Sequence, residues 1–394
     1  MNTQTLPRLR EDAIVRRFDE RGPQVRYVIA IDGRHFVVTP TVAAVLDETR
    51  QLRAGECDIG TLCARVAMRL GREIPAQQIE ALLVHQTPRT FFQVDAAEPA
   101  NESPVKCRRL LIGGDRLTPL LAALAKLFTW RVAVGICLAI VAVDSAVALH
   151  FLREGSVLPS ARDQILGFGL TLMGILCHEL GHLAACRRFG GRHGGIGVGV
   201  YWCLPAFYAE VHGAWLLPRL QRAAVDVGGI YLQATFVMLL GCGYLIEPSP
   251  AWVCAIVISH FLMLHTLNPV LKFDGYWLLC DLAGIHNLHE SLRHTLRDLI
   301  SRRRPSRAEL ILLGPFLALA TAYFAYVFGI LGAALGSTAA ALRLAWLTAD
   351  GSFTSCAGIF GRTMLLILLL ATAAGSASLI GRAAHSINPE RKLP

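Results

Sequence analysis

The chain has 394 residues, of which 54% are hydrophobic and only 17% charged, with a formal net charge of +9; its mean hydropathy is +0.46. A soluble globular domain carries about 25% charged residues, so this composition excludes an ordinary soluble protein and points to a membrane protein with a soluble part. The 11 scattered cysteines contain no CxxC pair, which excludes a disulfide framework, and the positive excess reads first as a topology signal.

The first 25 residues are polar and arginine-rich, without the apolar core of a signal peptide. Next, "VRYVIAIDGRHFVV" (Val25 to Val38) sets two β-prone runs around Asp32-Gly33, a hairpin signal. "TPTVAAVLDETRQL" follows, with Thr39 as N-cap and Pro40 at the first helical position. "DIGTLCARVAMRLG" and "PAQQIEALLVHQ" read as two more amphipathic helices, the first stopped by Gly71. Residues 1–90 are therefore expected to form a small soluble α+β domain, a hairpin followed by three helices. Residues 91–130 are expected to be a polar linker (to about residue 107) and then an amphipathic, basic segment, Arg116 to Trp130, lying at the bilayer surface.

Residues 131–394 read as membrane domain. Spans are expected at about Val132 to Leu152, Gln164 to Cys186, Ala223 to Ile246, Ala251 to Leu267, Leu310 to Leu335 and Met364 to Ile380. The fourth and sixth are near the lower limit of about 17 residues. Basic residues alternate between the connections. Arg153 and Arg162 follow the first span, while five arginines fall between Arg187 and Arg222. None falls between the third and fourth spans, and seven basic residues fall between Lys272 and Arg307. This alternation predicts six spans with both termini and the "SRRRPSR" run (Ser301 to Arg307) on the cytosolic side. That run reads as an anchor on anionic lipid rather than a nucleic-acid contact. The glycine-rich stretch Gly190 to Val200 lacks the acidic partner of a nucleotide loop and reads as a strand or re-entrant hairpin near the membrane.

The second span contains His178, Glu179 and His182, an H-E-x-x-H pattern. On a helix the two histidines lie one turn apart on one face and can hold one Zn²⁺. Glu179 is then close enough to take a proton from the water that the ion activates. Charged types at membrane depth cost about 2.5–3.5 kcal/mol each even on the lenient scale, so three polar groups in five positions need a partner, and a metal supplies it. At 1.5 Å per residue His178 lies about 13 Å inside the cytosolic boundary at Arg187, so water must reach that depth. A catalytic zinc needs a third protein ligand. "HTLNPVLKFDGYWLL" (His265 to Leu279) offers Asp274, just beyond a break at Asn268-Pro269, and broken helices at this depth are tolerated where they line a cavity. By spacing alone Asp274-Gly275 is equally an ordinary turn.

H-E-x-x-H in one span, with N-P and then D-G at the end of a later one, resembles the site-2 protease family of intramembrane zinc metalloproteases. "FDGYWLL" is similar to its branch of peptide zinc metalloproteases, found beside peptide-maturation and export genes in bacteria. The resemblance covers about residues 108–300. It implies His178, His182 and Asp274 as zinc ligands, Glu179 as general base, and Asn268 as a substrate or oxyanion contact. In one place the chain departs from the pattern: where the family often carries a small-residue run ending in Asn, "VGGIYLQA" has Gly228, Gly229 and then Gln233. The N-terminal segment "GRHFVVTPTVAAVLD" resembles PqqD-like winged-helix domains, which implies binding of a leader peptide by strand addition; a docking domain without a peptide ligand is the other reading.

The expected protein is thus an α-helical polytopic membrane protein with an N-terminal winged-helix-like domain, in the bacterial inner membrane with that domain cytosolic. It would be a zinc endopeptidase with one zinc per chain. Its substrate would be a peptide or membrane-associated precursor, processed in maturation or export of a ribosomally made peptide, with export-machinery components as further partners and no nucleic acid. The rivals are a regulatory protease that releases a membrane-tethered transcription regulator and a non-proteolytic export or immunity component. Asp144 and Asp226 are expected to be hydrogen-bonded inside the bundle, His260 and His265 to pack, and Glu210 and His212 to lie in a loop.

Overall fold

A computed structural model of the protein describes residues 7–20, 25–31, 34–51, 58–92, 105–155, 159–201, 204–301, 310–311, 313–323, 325–326, 329 and 336. The expected sixth span, ten of the 26 residues of the fifth, and Arg303 with its neighbours lie outside these residues.

Near the N-terminus three strands, β1 (Ile14–Arg17), β2 (Tyr27–Ile31) and β3 (Arg34–Val38), form an antiparallel sheet in that order. The expected hairpin is β2–β3, with Tyr27 opposite Val38 and Ile31 opposite Arg34. β1 is an addition to the expected hairpin. Half of it is arginine and it carries little apolar signal, but pairing Ile14 with Ala30 and Val15 with Ile29 satisfies its backbone. Helices α1 (Pro40–Gln51), α2 (Ile59–Leu70) and α3 (Ala76–Ala81) cover the sheet. Asp58 caps α2 by accepting from the Gly60 amide, and Gly71 ends it at φ 66°, the left-handed conformation that glycine adopts without a steric penalty. Ile29, Val45, Leu46, Leu62, Val66, Ile79 and Phe91 share one buried core.

A second sheet of order β4-β5-β6 joins β4 (Val105–Ile112), β5 (Ile196–Tyr201) and β6 (Leu204–Ala209). The linker expected to about residue 107 therefore gives way to a strand at residue 105. The partner of β4 is the glycine-rich stretch about ninety residues on, a long-range pairing that local propensity cannot reveal. Glycine inside β5 leaves room for the Tyr208 ring, which a Cβ on Gly197 would approach to 2.3 Å. Helix α4 (Gly114–Leu124) then lays Leu117 and Leu121 against Leu183, Ala184 and Ile196.

Among the described residues three helices are long and apolar enough to cross a membrane, α5 (Trp130–Glu154), α6 (Ala161–Arg188) and α7 (Arg219–Ile246). The shorter apolar helix α8 (Pro250–Thr266) and the segment Leu313–Tyr323 accompany them. No residue of α5 is buried, in keeping with a lipid-facing helix. α6 and α7 approach closely through glycine: a Cβ on Gly181 would stand 2.1 Å from the Gly228 carbonyl oxygen. Small residues at such crossings let two backbones meet without bulky side chains between them. After α8 the chain turns at Leu267 to Phe273 and re-enters helix as α9 (Asp274–Ala283), followed by the amphipathic α10 (Leu288–Ile300).

Candidate metal centre

Helical spacing on α6 places the His178 and His182 rings edge to face, with centroids 4.8 Å apart and their Nε2 atoms 3.1 Å apart. Asp274, the first residue of α9, brings its Oδ2 to 2.8 Å from His178 Nε2 and 3.5 Å from His182 Nε2. Both histidines are buried. A tetrahedral zinc with bonds of about 2.0–2.1 Å separates its ligand atoms by about 3.3 Å, so the residues fit the ion with shifts of a few tenths of an ångström.

The proton arrangement fits as well. His182 Nδ1 lies 2.8 Å from the Val225 carbonyl oxygen, which only accepts, so Nδ1 carries the hydrogen and donates it there. His178 Nδ1 donates in the same way to Gln233 Oε1 at 2.9 Å. With Nδ1 donating, a neutral ring would turn its Nε2 lone pair toward the Asp274 carboxylate. Two such lone pairs and a carboxylate oxygen at one point are a donor set that a cation would stabilise.

Each of these side chains is held by backbone geometry. A Cβ on Gly229 would stand 2.5 Å from His182 Nε2 and 2.7 Å from His178 Nε2, so only glycine lets α7 lie across the two rings. A Cβ on Gly275 would meet the Leu267 carbonyl oxygen at 1.8 Å. The Asp-Gly pair is therefore a close approach of α9 to the end of α8, which brings Asp274 under the histidines. Glu179 lies beside both histidines, and the backbone N–H of Ala209 at the end of β6 faces its carboxylate.

Over 110 residues the chain is 27% identical to the Bacillus subtilis (strain 168) protein named "Putative peptide zinc metalloprotease protein YydH". That match covers 27% of this chain and 44% of the relative, so the chain spans under half of the length of the protein it resembles. No family model matches the chain, and no solved structure matches it.

The structure brings His178, Glu179, His182 and Asp274 together. Asn268 stands in the turn that leads to Asp274, its Oδ1 accepting from the Val270 amide at 2.9 Å. His289 Nε2 donates to the Val270 carbonyl oxygen from behind, and Tyr276 donates through its hydroxyl to Asn287, so the turn is braced from α10. Gln233 is the site residue that the sequence left without a role. Its signal was an amide in an apolar span, four residues after a glycine that faces the rings. Asp226 corrects an expectation, since its Oδ2 is buried without a hydrogen-bond partner among the described residues. Asp144 does find one, His260 Nε2 at 3.2 Å, so His260 is polar-paired rather than merely packed. His265 packs against Phe261 and Phe273. Glu210 follows β6 directly and pairs with Arg108.

Proposed function

We propose that this protein is an intramembrane zinc endopeptidase that cleaves a peptide or membrane-associated precursor, in maturation or export of a ribosomally made peptide. The observation that carries the reading is the convergence of His178, His182 and Asp274 on one point, with the Glu179 carboxylate beside them. His178, His182 and Asp274 would hold one zinc per chain. When bound, zinc supplies Lewis acidity, lowering the pKa of water to about 7 and polarising a carbonyl. Glu179 takes the proton from the attacking water and returns it to the leaving amine, which balances the hydrolysis. The similarity to a protein bearing a peptide zinc metalloprotease name supports the same reading.

The position of β6 supports a peptide substrate. Glu210 exchanges backbone hydrogen bonds with Gly194 and Gly195. By alternation, the amide and carbonyl groups of Phe207 and Ala209 point away from β5. That outer edge has no strand partner among the described residues, and it ends at Glu179. An extended peptide laid along it would bring a backbone carbonyl to the centre. Asn268, its Oδ1 already engaged, can offer only its amide N–H groups to such a carbonyl. The membrane would be the bacterial inner membrane with the N-terminal domain cytosolic, where that domain could take up a leader peptide and the membrane domain could meet export components.

The test is Glu179→Gln in the full chain, reconstituted in lipid with a candidate precursor. Gln keeps volume and helix propensity but removes the base. Zinc content should hold while cleavage falls by about 10²- to 10⁴-fold. Cleavage at the wild-type rate would overturn the protease mechanism.

A further inference from the structure

The strip of α7 that touches the metal centre continues to the start of that helix. Arg222, Asp226, Gly229 and Gln233 are spaced i, i+4, i+7 and i+11, and at about 100° per residue they fall within a 60° arc. At the far end of this strip α7 is gripped by the N-terminal domain. Pro218 precedes α7 and supplies no side-chain cap. Asp19, just after β1, supplies one from 200 residues away: its Oδ2 accepts from the Arg219 amide at 3.0 Å. The Asp19 carbonyl oxygen accepts from Arg222 Nη2 at 3.0 Å, and Phe18 lies under the Arg222 guanidinium at 4.3 Å from the ring centre. The remaining Arg222 bonds go to Asp281 and to the Leu217 carbonyl oxygen. Phe18 is only 4% exposed, yet it is not among the residues that build the N-terminal core. Its neighbours are Trp215 and His286 of the membrane domain, so its burial comes from the interface.

We propose that Phe18 and Asp19 are positioning residues of the metal centre: they fix the rotation of α7 about its axis, and through Gly229 and Gln233 the placement of His178 and His182. The inference rests on the zinc peptidase reading of that centre. The geometry gives it a scale. A 20° rotation of a helix whose Cα atoms lie about 2.3 Å from its axis moves each Cα by about 0.8 Å, and side-chain tips further. The His178–Gln233 bond of 2.9 Å loses its character by about 3.5 Å. Gly229, already against both rings, would be driven into one or away from the other. A rigid helix thus carries the state of the N-terminal domain to the histidine clamp without any intermediate contact.

The experiment uses the full chain in lipid nanodiscs. Phe18→Lys sets a cation against Arg222, and Asp19→Ala removes the cap; Phe18→Tyr and Asp19→Asn are the conservative counterparts. Hydrogen exchange at residues 219–222 reports release of α7. Zinc affinity by chelator competition and the d–d absorption of the Co²⁺-loaded protein report the centre. The expected result for the first pair is faster exchange, a shifted Co²⁺ spectrum and zinc binding weakened by about 10- to 100-fold, the range for loss of a partner behind the ligands. Peptide cleavage should lose kcat with KM unchanged, since neither residue touches the peptide, and the conservative pair should behave as wild type. Faster exchange with unchanged zinc affinity and spectrum would overturn the proposal. So would unchanged exchange in both disruptive variants, because Phe18 and Asp19 would then not hold α7. Wild-type protein that binds no zinc would instead sink the reading on which the proposal stands.

Discussion

Gln233 and Val225 decide which nitrogen of each histidine faces the centre. An imidazole with one hydrogen can either donate or ligate at a given nitrogen, and the second partner fixes the choice. Gln233→Ala removes the acceptor from His178 Nδ1, so zinc affinity should fall by about 10- to 100-fold in chelator competition while the chain stays folded. Val225 uses its backbone carbonyl for His182, so Val225→Ala should leave affinity unchanged in the same assay. Replacing both His178 and His182 with alanine removes two of the three candidate ligands. Elemental analysis of the purified double variant should find no zinc; wild-type zinc content would place the metal elsewhere.

At the scale of elements the centre depends on how closely helices can approach. Gly229→Ala puts a methyl group 2.5 Å from His182 Nε2, and overpacking of this kind costs about 1–3 kcal/mol. Here the strain falls on a proposed ligand, so metal content should drop before the fold is lost. Gly275→Ala meets the Leu267 carbonyl oxygen, a backbone atom that cannot swing aside; it should displace Asp274 and lower both thermal midpoint and zinc content. Gly169, also on α6, has nothing within 4 Å of where a Cβ would go. Gly169→Ala should therefore be neutral or stabilise by up to about 0.5–1 kcal/mol through helix propensity. Thermal unfolding of the three variants side by side separates close approach from propensity.

At the scale of the whole molecule the N-terminal domain meets the membrane domain through aromatic and histidine side chains. His35 stacks on Trp215 at 4.0 Å, and His286 packs on Phe18. Burial pushes both histidines down to about 4, with His212, Arg26, Arg222 and Lys272 adding positive charge nearby and Glu290 opposing them at His286. A histidine whose folded pKa is depressed stabilises the docked state fully above its unfolded value of about 6.5 and loses that contribution as pH falls toward the folded value. Glu20 runs the other way, since burial raises it despite Arg26 and Arg222. Between pH 6.5 and about 4 the two histidines lose their contribution together. Docking should loosen over that window, measured as rising hydrogen exchange at residues 18–19 and 219–222. A His35→Phe variant should be less sensitive to acid, and equal sensitivity would remove His35 from the account.

What the sequence determined by itself was local. The H-E-x-x-H spacing, the break at Asn268-Pro269, the helix start at Thr39-Pro40 and the stop at Gly71 depend on neighbours within a few residues, so helical and turn geometry alone makes them legible. The tertiary structure decided what depends on which elements become neighbours. Local spacing left Asp274 as either a ligand or a turn residue; the approach of α9 to the end of α8, permitted by Gly275, set its carboxylate against both histidines. Gln233 reaches His178 across 55 residues, and β4 finds β5 across a whole helical segment. Asp19 reaches the first turn of α7 across 200 residues. None of these contacts names its partner in the chain, because a hydrogen bond or a strand pairing between distant segments sets no sequence spacing between them.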